Sequence, residues 1–327
     1  MITIVGGSGF IGTRLARLFQ SNGLDFQIVD KRVSKSFPDR TKVIDIRDRN
    51  ALSKGLKGTT VIVNLAAEHR DDVSPKSLYD EVNVEGSRNV CSAAEANNVN
   101  TIVFTSSVAI YGFAPLGTDE SGTPNPFNDY GRTKYEAEGI YSNWYSQDVD
   151  ARRLIILRPT VVFGEGNRGN VFNLLKQIAS GKFAMIGNGQ NVKSMAYVEN
   201  IVSFIQFSLS FSTGKHCYNY IDKPDFSMNQ LVENVCDILR TKKKNLRVPY
   251  AIGYIVGGAF DLASKITSQK FAISRIRVKK FCSNSMFNSS ISTTGFVAPV
   301  SLEEALRKTV TYEFIENNKD KEVFYTE

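Results

Sequence analysis

Apolar residues fall in short runs along the first half of the chain, with longer periodic stretches between them. Ile2–Val5 reads as a short buried strand, and Ile11, Arg14, Leu15 and Phe19 continue it as an amphipathic helix. The runs Phe26–Val29, Val43–Ile46 and Thr60–Leu65 predict three more strands, the last ending in Ala66-Ala67. A helix is predicted from about Ser77 to Asn97, followed by the strand Thr101–Thr105. Asn125-Pro126-Phe127 reads as loop, and Asn128 or Asp129 caps a helix that carries Tyr130 and Lys134. Leu154–Leu157 is a further strand, stopped by Arg158-Pro159. Strands alternating with helices predict right-handed βαβ units. The expected fold is α/β: a Rossmann-type, doubly wound parallel sheet with a smaller C-terminal substrate-binding lobe.

Past residue 160 the pattern loosens. Gly164–Gly169 and Gly187–Gly189 are rich in turns, while Ser227–Leu239 and Leu302–Thr309 look helical. The expected division is a dinucleotide-binding domain over 1–160 and a mainly substrate-binding lobe over 161–327. The chain should return to the first domain near 195–210, around Met195–Leu209. No Pro/Ser-rich linker separates the two, so a continuous interface is expected.

Composition changes this picture little. The 327 residues carry a formal charge of +7, which suits either a plainly solvated surface or an anionic partner such as a phosphorylated substrate or an acidic membrane. Cys91, Cys217, Cys236 and Cys282 are widely spaced without a CxxC pair, so reduced thiols in a cytoplasmic protein are expected. His69 and His216 are too few and too scattered for zinc, and no metal is expected. Met1 opens the first strand, which leaves no room for a signal peptide, and no run is long enough to span a bilayer.

Two motifs carry the chemistry. Gly6, Gly9 and Gly12 form GxxGxxG between a strand and a helix. Gly6 permits a tight turn, Gly9 lets the backbone approach a pyrophosphate, and Gly12 allows close packing of the helix, whose N-terminus offers free N–H groups to phosphate. Asp30 ends the next strand, where a ribose-binding acid belongs; Lys31 and Arg32 would instead favour a 2′-phosphate, and NAD is preferred over NADP. Asp45-Ile46 closes the third strand and could hold the adenine edge. Tyr130 and Lys134 are four apart on one helix face, downstream of Thr105-Ser106-Ser107. A phenol near pKa 10 needs a nearby cation to serve as a base at neutral pH, and a serine can hold the substrate oxygen. Ser106 and Ser107 point to opposite faces of the strand, and Ser107 is the candidate. His69, just after the fourth strand, is a further candidate acid.

The set GGSGFIG, Asp30, DIRD, NLAA, FTSSVAIYG, YGRTK and LRPTVVFG resembles the extended short-chain dehydrogenases/reductases, in particular the nucleotide-sugar epimerases and dehydratases. The likeness covers nearly the whole chain, down to Gly295-Phe296 and the helix from Ser301 to Leu306. It implies Ser107, Tyr130 and Lys134 as the catalytic set. The implied cofactor is NAD, held by Gly6, Gly9, Phe10, Ile11, Gly12, Asp30, Asp45, Ile46, Ala66, Tyr130 and Lys134. Asn83 matches a family asparagine that holds a helix in place.

Longer stretches, AAEHRDDV from Ala66, NRGNV from Asn167 and KSMAYVEN from Lys193, narrow the likeness to 4-epimerases of an N-acetylhexosamine on a diphosphate carrier. Lys193-Ser194 stands where UDP-sugar epimerases carry Arg-Asp, which weighs against a UDP carrier without excluding it. The implied substrate is a polyprenyl-diphosphate sugar of O-antigen or other lipopolysaccharide assembly, touched by Ser107, Arg168 and Lys193, with peripheral attachment to the cytoplasmic face of the inner membrane. A UDP-sugar epimerase, a lipid-alcohol dehydrogenase and a nucleotide-sensing scaffold are the alternatives. No nucleic-acid partner is expected, and a homodimer is left open. Arg158, following a core strand, is either a phosphate contact or a structural ion pair. Val248–Phe260, interrupted by Asp261 and Lys265 and surrounded by Arg247, Lys270, Arg275, Arg277, Lys279 and Lys280, is either a buried helix of the small lobe or a patch that docks on anionic lipid.

Overall fold

The computed structural model describes residues 1–70, 73–242, 246–267, 274–318 and 320–326; Asp71, Asp72 and Lys270 lie outside the described residues. Strand β1 (Ile2–Val5) leads into helix α1 (Phe10–Ser21), followed by β2 (Phe26–Asp30), β3 (Thr41–Val43), α2 (Arg49–Gly55) and β4 (Val61–Asn64). Helical residues run from α3 (Ser77–Tyr79) through a wider-wound π segment, Asp80–Glu85, into α4 (Gly86–Ala96) and then β5 (Thr101–Thr105). Next come α5 (Asp129–Ser146), β6 (Arg153–Pro159), β7 (Val161–Phe163), α6 (Asn170–Ala179), β8 (Met185–Ile186) and β9 (Val192–Tyr197). The rest comprises α7 (Val198–Ser208), β10 (Gly214–Tyr220), β11 (Asp222–Ser227), α8 (Met228–Ile238), β12 (Arg247–Val248), α9 (Tyr250–Thr267), α10 (Arg275–Cys282) and α11 (Leu302–Phe314).

Seven parallel strands form one sheet in the order β10-β6-β5-β4-β1-β2-β3. The chain builds outward from β1 in one direction and from β4 in the other, which opens a crevice beyond the C-terminal ends of those two strands. The strands are apolar on both sides because both faces are covered. Ile4, Ile28, Val63, Val103 and Ile155 face α1 and α7, whereas their neighbours Val5, Val29, Ile62, Ile102 and Ile156 face α2, α4 and α5. This period of two places Leu15, Phe19, Ile201 and Phe204 in one layer and Val90, Tyr141 and Trp144 in the other.

Three expectations need correction. The third strand is Thr41–Val43, two residues earlier than Val43–Ile46, because its partner β2 ends at Asp30 opposite Val43. Asp45 and Ile46 therefore lie in the turn beyond the strand. β6 does not stop before Arg158-Pro159: Arg158 pairs with Asn219 and Pro159 with Tyr220 on β10. Helix α9 is not a buried helix; Ile252, Ile255 and Val256 are exposed.

The smaller sheet, β11-β9-β7, packs with α6, α8 and α11 around Leu175, Met195, Leu231, Val235, Leu302 and Leu306. The chain re-enters the large sheet through α7, packed beside α1, and through β10 at the sheet edge.

One buried ion pair joins these parts. Arg158 of β6 grips Glu138 of α5 with two bonds, Nε to Oε1 at 2.9 Å and Nη2 to Oε2 at 2.6 Å, and both side chains are nearly enclosed. Its remaining nitrogen, Nη1, donates to the Tyr111 hydroxyl at 2.6 Å, and that hydroxyl donates to Asn219 Oδ1 of β10 at 3.0 Å. Removing one partner would leave a buried charge unpaired. Arg158→Met should lower stability by about 3–5 kcal/mol, and Glu138→Leu combined with it should restore most of the loss. Urea denaturation of the single and double variants measures both. A single variant as stable as wild type would show that the pair does not anchor α5.

Candidate active site

The crevice is floored by the turn after β1. Gly6 has φ of +78°, and a Cβ there would lie 2.5 Å from the Ala66 nitrogen, so the β1 and β4 turns touch only because residue 6 is glycine. A Cβ on Gly12 would come within 2.5 Å of Gly7, so α1 packs directly on its own leading turn. At Gly9 a side chain would meet only the Gly6 oxygen, at 3.4 Å, which leaves this position open toward solvent. Gly9 caps α1 without a side-chain acceptor, and the first turn, Phe10-Ile11-Gly12, carries no acid. The positive end of the helix is thus uncompensated by the chain itself.

Asp30, at the end of β2, accepts the Ser8 N–H at Oδ2 and the Arg32 N–H at Oδ1, both at 3.0 Å. Each oxygen keeps a lone pair for a ribose hydroxyl. Lys31 is held by Glu68 at 2.8 Å, which occupies the cation that could otherwise favour a 2′-phosphate. The open Gly9 position, the bare helix N-terminus and the oriented Asp30 carboxylate fit a dinucleotide diphosphate with an unphosphorylated ribose. Asp45 is different. Arg47 binds both of its oxygens and holds its carboxyl below the usual range, while Ile46 is buried in the core.

Asn83, in the π segment, joins this crevice to α5. Its Oδ1 accepts from Glu68 N, and its Nδ2 donates to Glu68 O and to Thr133 Oγ1, all at 2.9 Å. The turn that touches Gly6 through Ala66 is therefore tied to the residue beside Lys134. Helix α5 starts where the sequence predicts, because Asn128 Oδ1 accepts from Gly131 N at 2.9 Å. Ser107 follows β5, and its hydroxyl oxygen accepts from Ala109 N at 3.1 Å, which leaves its proton free to turn toward the Tyr130 phenol. Ser106 is buried, and its hydroxyl has no hydrogen-bond partner among the described residues.

Burial raises the Tyr130 phenol above its ordinary value, and the neighbouring Ser107 hydroxyl partly opposes that rise. Lys134 is enclosed, with Nζ 4.3 Å from the centre of the Phe104 ring. Burial lowers it to about 7, and the Glu138 carboxylate one turn along the helix works in the other direction. A lysine near neutrality can hold or release a proton at working pH, and when charged it favours a phenolate on the same helix face.

The sequence reading missed a strap formed by the last described residues. Phe324 exchanges backbone bonds with Gly166 and Arg168, at 2.8 and 2.7 Å, and its ring lies 5.7 Å from that of Phe10. Glu322 accepts from Ser36 Oγ at 2.8 Å. His69 lies near the backbone of Ala67 and Thr326, and burial holds it below its ordinary value. Residues 322–326 carry no periodicity from which this contact could be read in the sequence.

The two expected diphosphate ligands have other partners. Arg168 pairs with the buried Glu313 at 2.7 Å and lies over the Phe172 ring. Lys193 donates to the carbonyls of Lys280 and Ser283, both at 2.7 Å, and burial lowers it to about 8. Beside those carbonyls is a cavity of about 410 Å³ lined by Asn188, Asn191, Tyr250, Lys279 and Ser283. Arg158 belongs to the Glu138 pair.

Lys134 generates a prediction about stability. Its folded value lies below its ordinary 10.5, so between about 7 and that value the folded chain holds fewer protons than the unfolded one, and stability rises with pH. Lys134→Met should remove this rise and melt higher than wild type, most of all at and below about pH 7, while turnover falls by about 10²-fold or more. Melting curves from pH 6 to 10 measure it, and identical pH profiles for the two proteins would contradict it.

Residues 2–220 match the model of the NAD dependent epimerase/dehydratase family. The chain is 49% identical over 330 aligned positions to the N-acetyl-alpha-D-glucosaminyl-diphospho-ditrans,octacis-undecaprenol 4-epimerase of Escherichia coli O157:H7, covering 100% of this chain and 99% of that one. It is 26% identical to a UDP-glucose 4-epimerase of Vibrio cholerae, over 97% of each. Among solved structures, MoeE5 in complex with UDP-glucuronic acid and NAD has the same fold, with a TM-score of 0.75 at 21% identity, over 95% of this chain and 98% of that one. The chain belongs to the NAD dependent epimerase/dehydratase family.

Proposed function

We propose that this protein is an NAD-dependent 4-epimerase that converts N-acetylglucosaminyl-diphospho-undecaprenol to its N-acetylgalactosaminyl epimer. One observation carries the reading: full-length likeness to a relative named for that substrate, in a chain with Tyr130 and Lys134 one turn apart on α5, Ser107 just after β5, and a bare helix N-terminus at Gly9. NAD, when bound, supplies the acceptor and donor of the C4 hydrogen. Tyr130 takes the proton of the C4 hydroxyl, and Ser107 steadies the same oxygen by donating a hydrogen bond. Lys134 favours the phenolate that results from each proton return. The 4-keto sugar turns in the site, C4 is reduced from its other face, and Tyr130 gives back the proton. The same pair serves both directions, so the reaction is reversible with no net redox change.

On this reading the protein works at the cytoplasmic side of the membrane that holds the carrier lipid. The cavity lined by Lys279, Asn188 and Tyr250 sets a cation beside polar side chains, a surrounding that suits a diphosphate. Lys193 supports its wall from behind through the Lys280 and Ser283 carbonyls.

The test supplies purified protein with the polyprenyl-diphosphate and the UDP forms of N-acetylglucosamine in parallel and identifies the sugar epimer. The lipid-linked form should be converted and the UDP form much more slowly. Tyr130→Phe should lower turnover by about 10²–10⁴ with an unchanged melting point. Conversion of the UDP form alone would overturn the assigned carrier, and a Tyr130→Phe protein retaining over a tenth of wild-type activity would overturn the assigned base.

A further inference from the structure

Helix α9 is built inside out. Its glycines face the protein: a Cβ on Gly257 would come within 2.9 Å of the backbone at Ser274 and Arg275, and one on Gly258 would collide with the Arg275 side chain. A Cβ on Gly253 would press on Ile186, at 3.0 Å. The absent side chains let α10 lie close against it. The large apolar residues face outward instead. Ile252, Ile255 and Val256 are 52%, 68% and 41% exposed, and positions i, i+3 and i+4 place them on one face. A soluble helix normally has the opposite arrangement, and burying this face rather than exposing it would be favourable.

The sequence that carries this face has charge of nearly one sign. Between Arg247 and Lys280 the sequence holds seven Lys and Arg residues and a single acid, Asp261. Helix α10 supplies Arg275, Arg277, Lys279 and Lys280, and Arg275 lies over the Tyr254 ring of α9. At its far end α10 reaches the loop that precedes α5. Lys279 Nζ lies 4.7 Å from the Phe113 ring centre and Lys280 Nζ 4.8 Å from that of Phe127, and these two rings stack on each other. Phe127 is three residues before Tyr130. No helix among the described residues is long and apolar enough to cross a membrane, so such a face can lie on a bilayer but not span it.

We propose that α9 and α10 form the element that seats this protein on an anionic lipid bilayer. The Ile252, Ile255 and Val256 face enters the boundary between headgroups and acyl chains, and the surrounding Lys and Arg side chains meet lipid phosphates. The inference deepens the lipid-linked reading and rests on it for its purpose. A sugar on a membrane-bound diphosphate stays at the surface, and α10 spans from the docked face to the loop beside Tyr130.

Vesicle sedimentation tests the docking without any turnover. The full chain is mixed with vesicles of phosphatidylcholine containing phosphatidylglycerol, or of phosphatidylcholine alone, at low and high salt. Wild type should sediment with the anionic vesicles and be released several-fold as salt rises, since exposed charges are screened over about 8 Å at physiological ionic strength. Ile252→Glu/Ile255→Glu should lower the bound fraction by about tenfold or more with an unchanged melting point. If that variant melts lower, Ile252→Ser/Ile255→Ser is read in its place. The Glu variant should lose turnover of vesicle-embedded substrate while keeping that of a short-chain, water-soluble analogue.

Wild type remaining in solution with anionic vesicles at low salt would overturn the docking, whatever the substrate assay gives. Equal binding by wild type and variant would overturn the assignment to this face. A lower solution mass of the variant without vesicles would show that a second copy of the chain covers the face, which also overturns the proposal. Failure of the lipid-linked substrate to turn over, with vesicle binding intact, would instead count against the proposed reaction.

Discussion

The ion pair between Glu138 and Arg158 is the contact on which the site depends. Desolvating two charges is costly, and the cost is offset only when geometry and hydrogen bonding are nearly complete. Here the carboxylate takes two bonds from the guanidinium, which gives a third to Tyr111 and through it reaches Asn219. Those four residues belong to α5, β6, the turn after Ser107 and β10. The helix that carries Tyr130 and Lys134 is thereby fixed to the strand layer and to the turn that follows Ser107. Glu138 is also one helical turn from Lys134, so the group that anchors the helix contributes to the field that keeps a buried lysine protonatable.

A second set of contacts brings the cofactor crevice into register with that helix. Gly6 lets the turn after β4 touch the turn after β1, and Asn83 ties the same segment to Thr133. The π segment that holds Asn83 inserts an extra residue per turn, a distortion often found where a side chain must be aimed at a site. Asp30 is oriented by Ser8 and Arg32, and Lys31 is drawn to Glu68. The two sites of the proposed reaction, the helix N-terminus at α1 and the Tyr130 phenol, thus belong to one connected framework.

Much of this was legible in the sequence because it is local. Glycine spacing after a strand, an acid at the end of the next one, and a Tyr and Lys four apart behind an Asn cap each depend on neighbours within a turn or two. Short apolar runs bounded by turn residues likewise placed β1, β2, β4 and β5 to within a residue. The misreadings concern partners distant in the chain. Nothing near Arg168 announces Glu313, nothing near Lys193 announces the Lys280 and Ser283 carbonyls, and the strap that brings Thr326 to His69 is 257 residues away in sequence. The third strand was placed late because its end is set by β2 rather than by its own apolar residues. The apolar composition of helix α9 left core and surface both open; its small residues form the packed face.

The central claim is that the chain inverts C4 by removing and returning the same hydrogen, with Tyr130 moving only the hydroxyl proton. Substrate carrying deuterium at C4 tests this directly when turned over in ordinary water. The account predicts that the epimerised sugar keeps its deuterium at C4, and that unlabelled substrate in heavy water gains none at carbon. Loss of the C4 label to solvent would mean that a base takes the proton from carbon itself, and the roles assigned to Ser107, Tyr130 and Lys134 would be wrong.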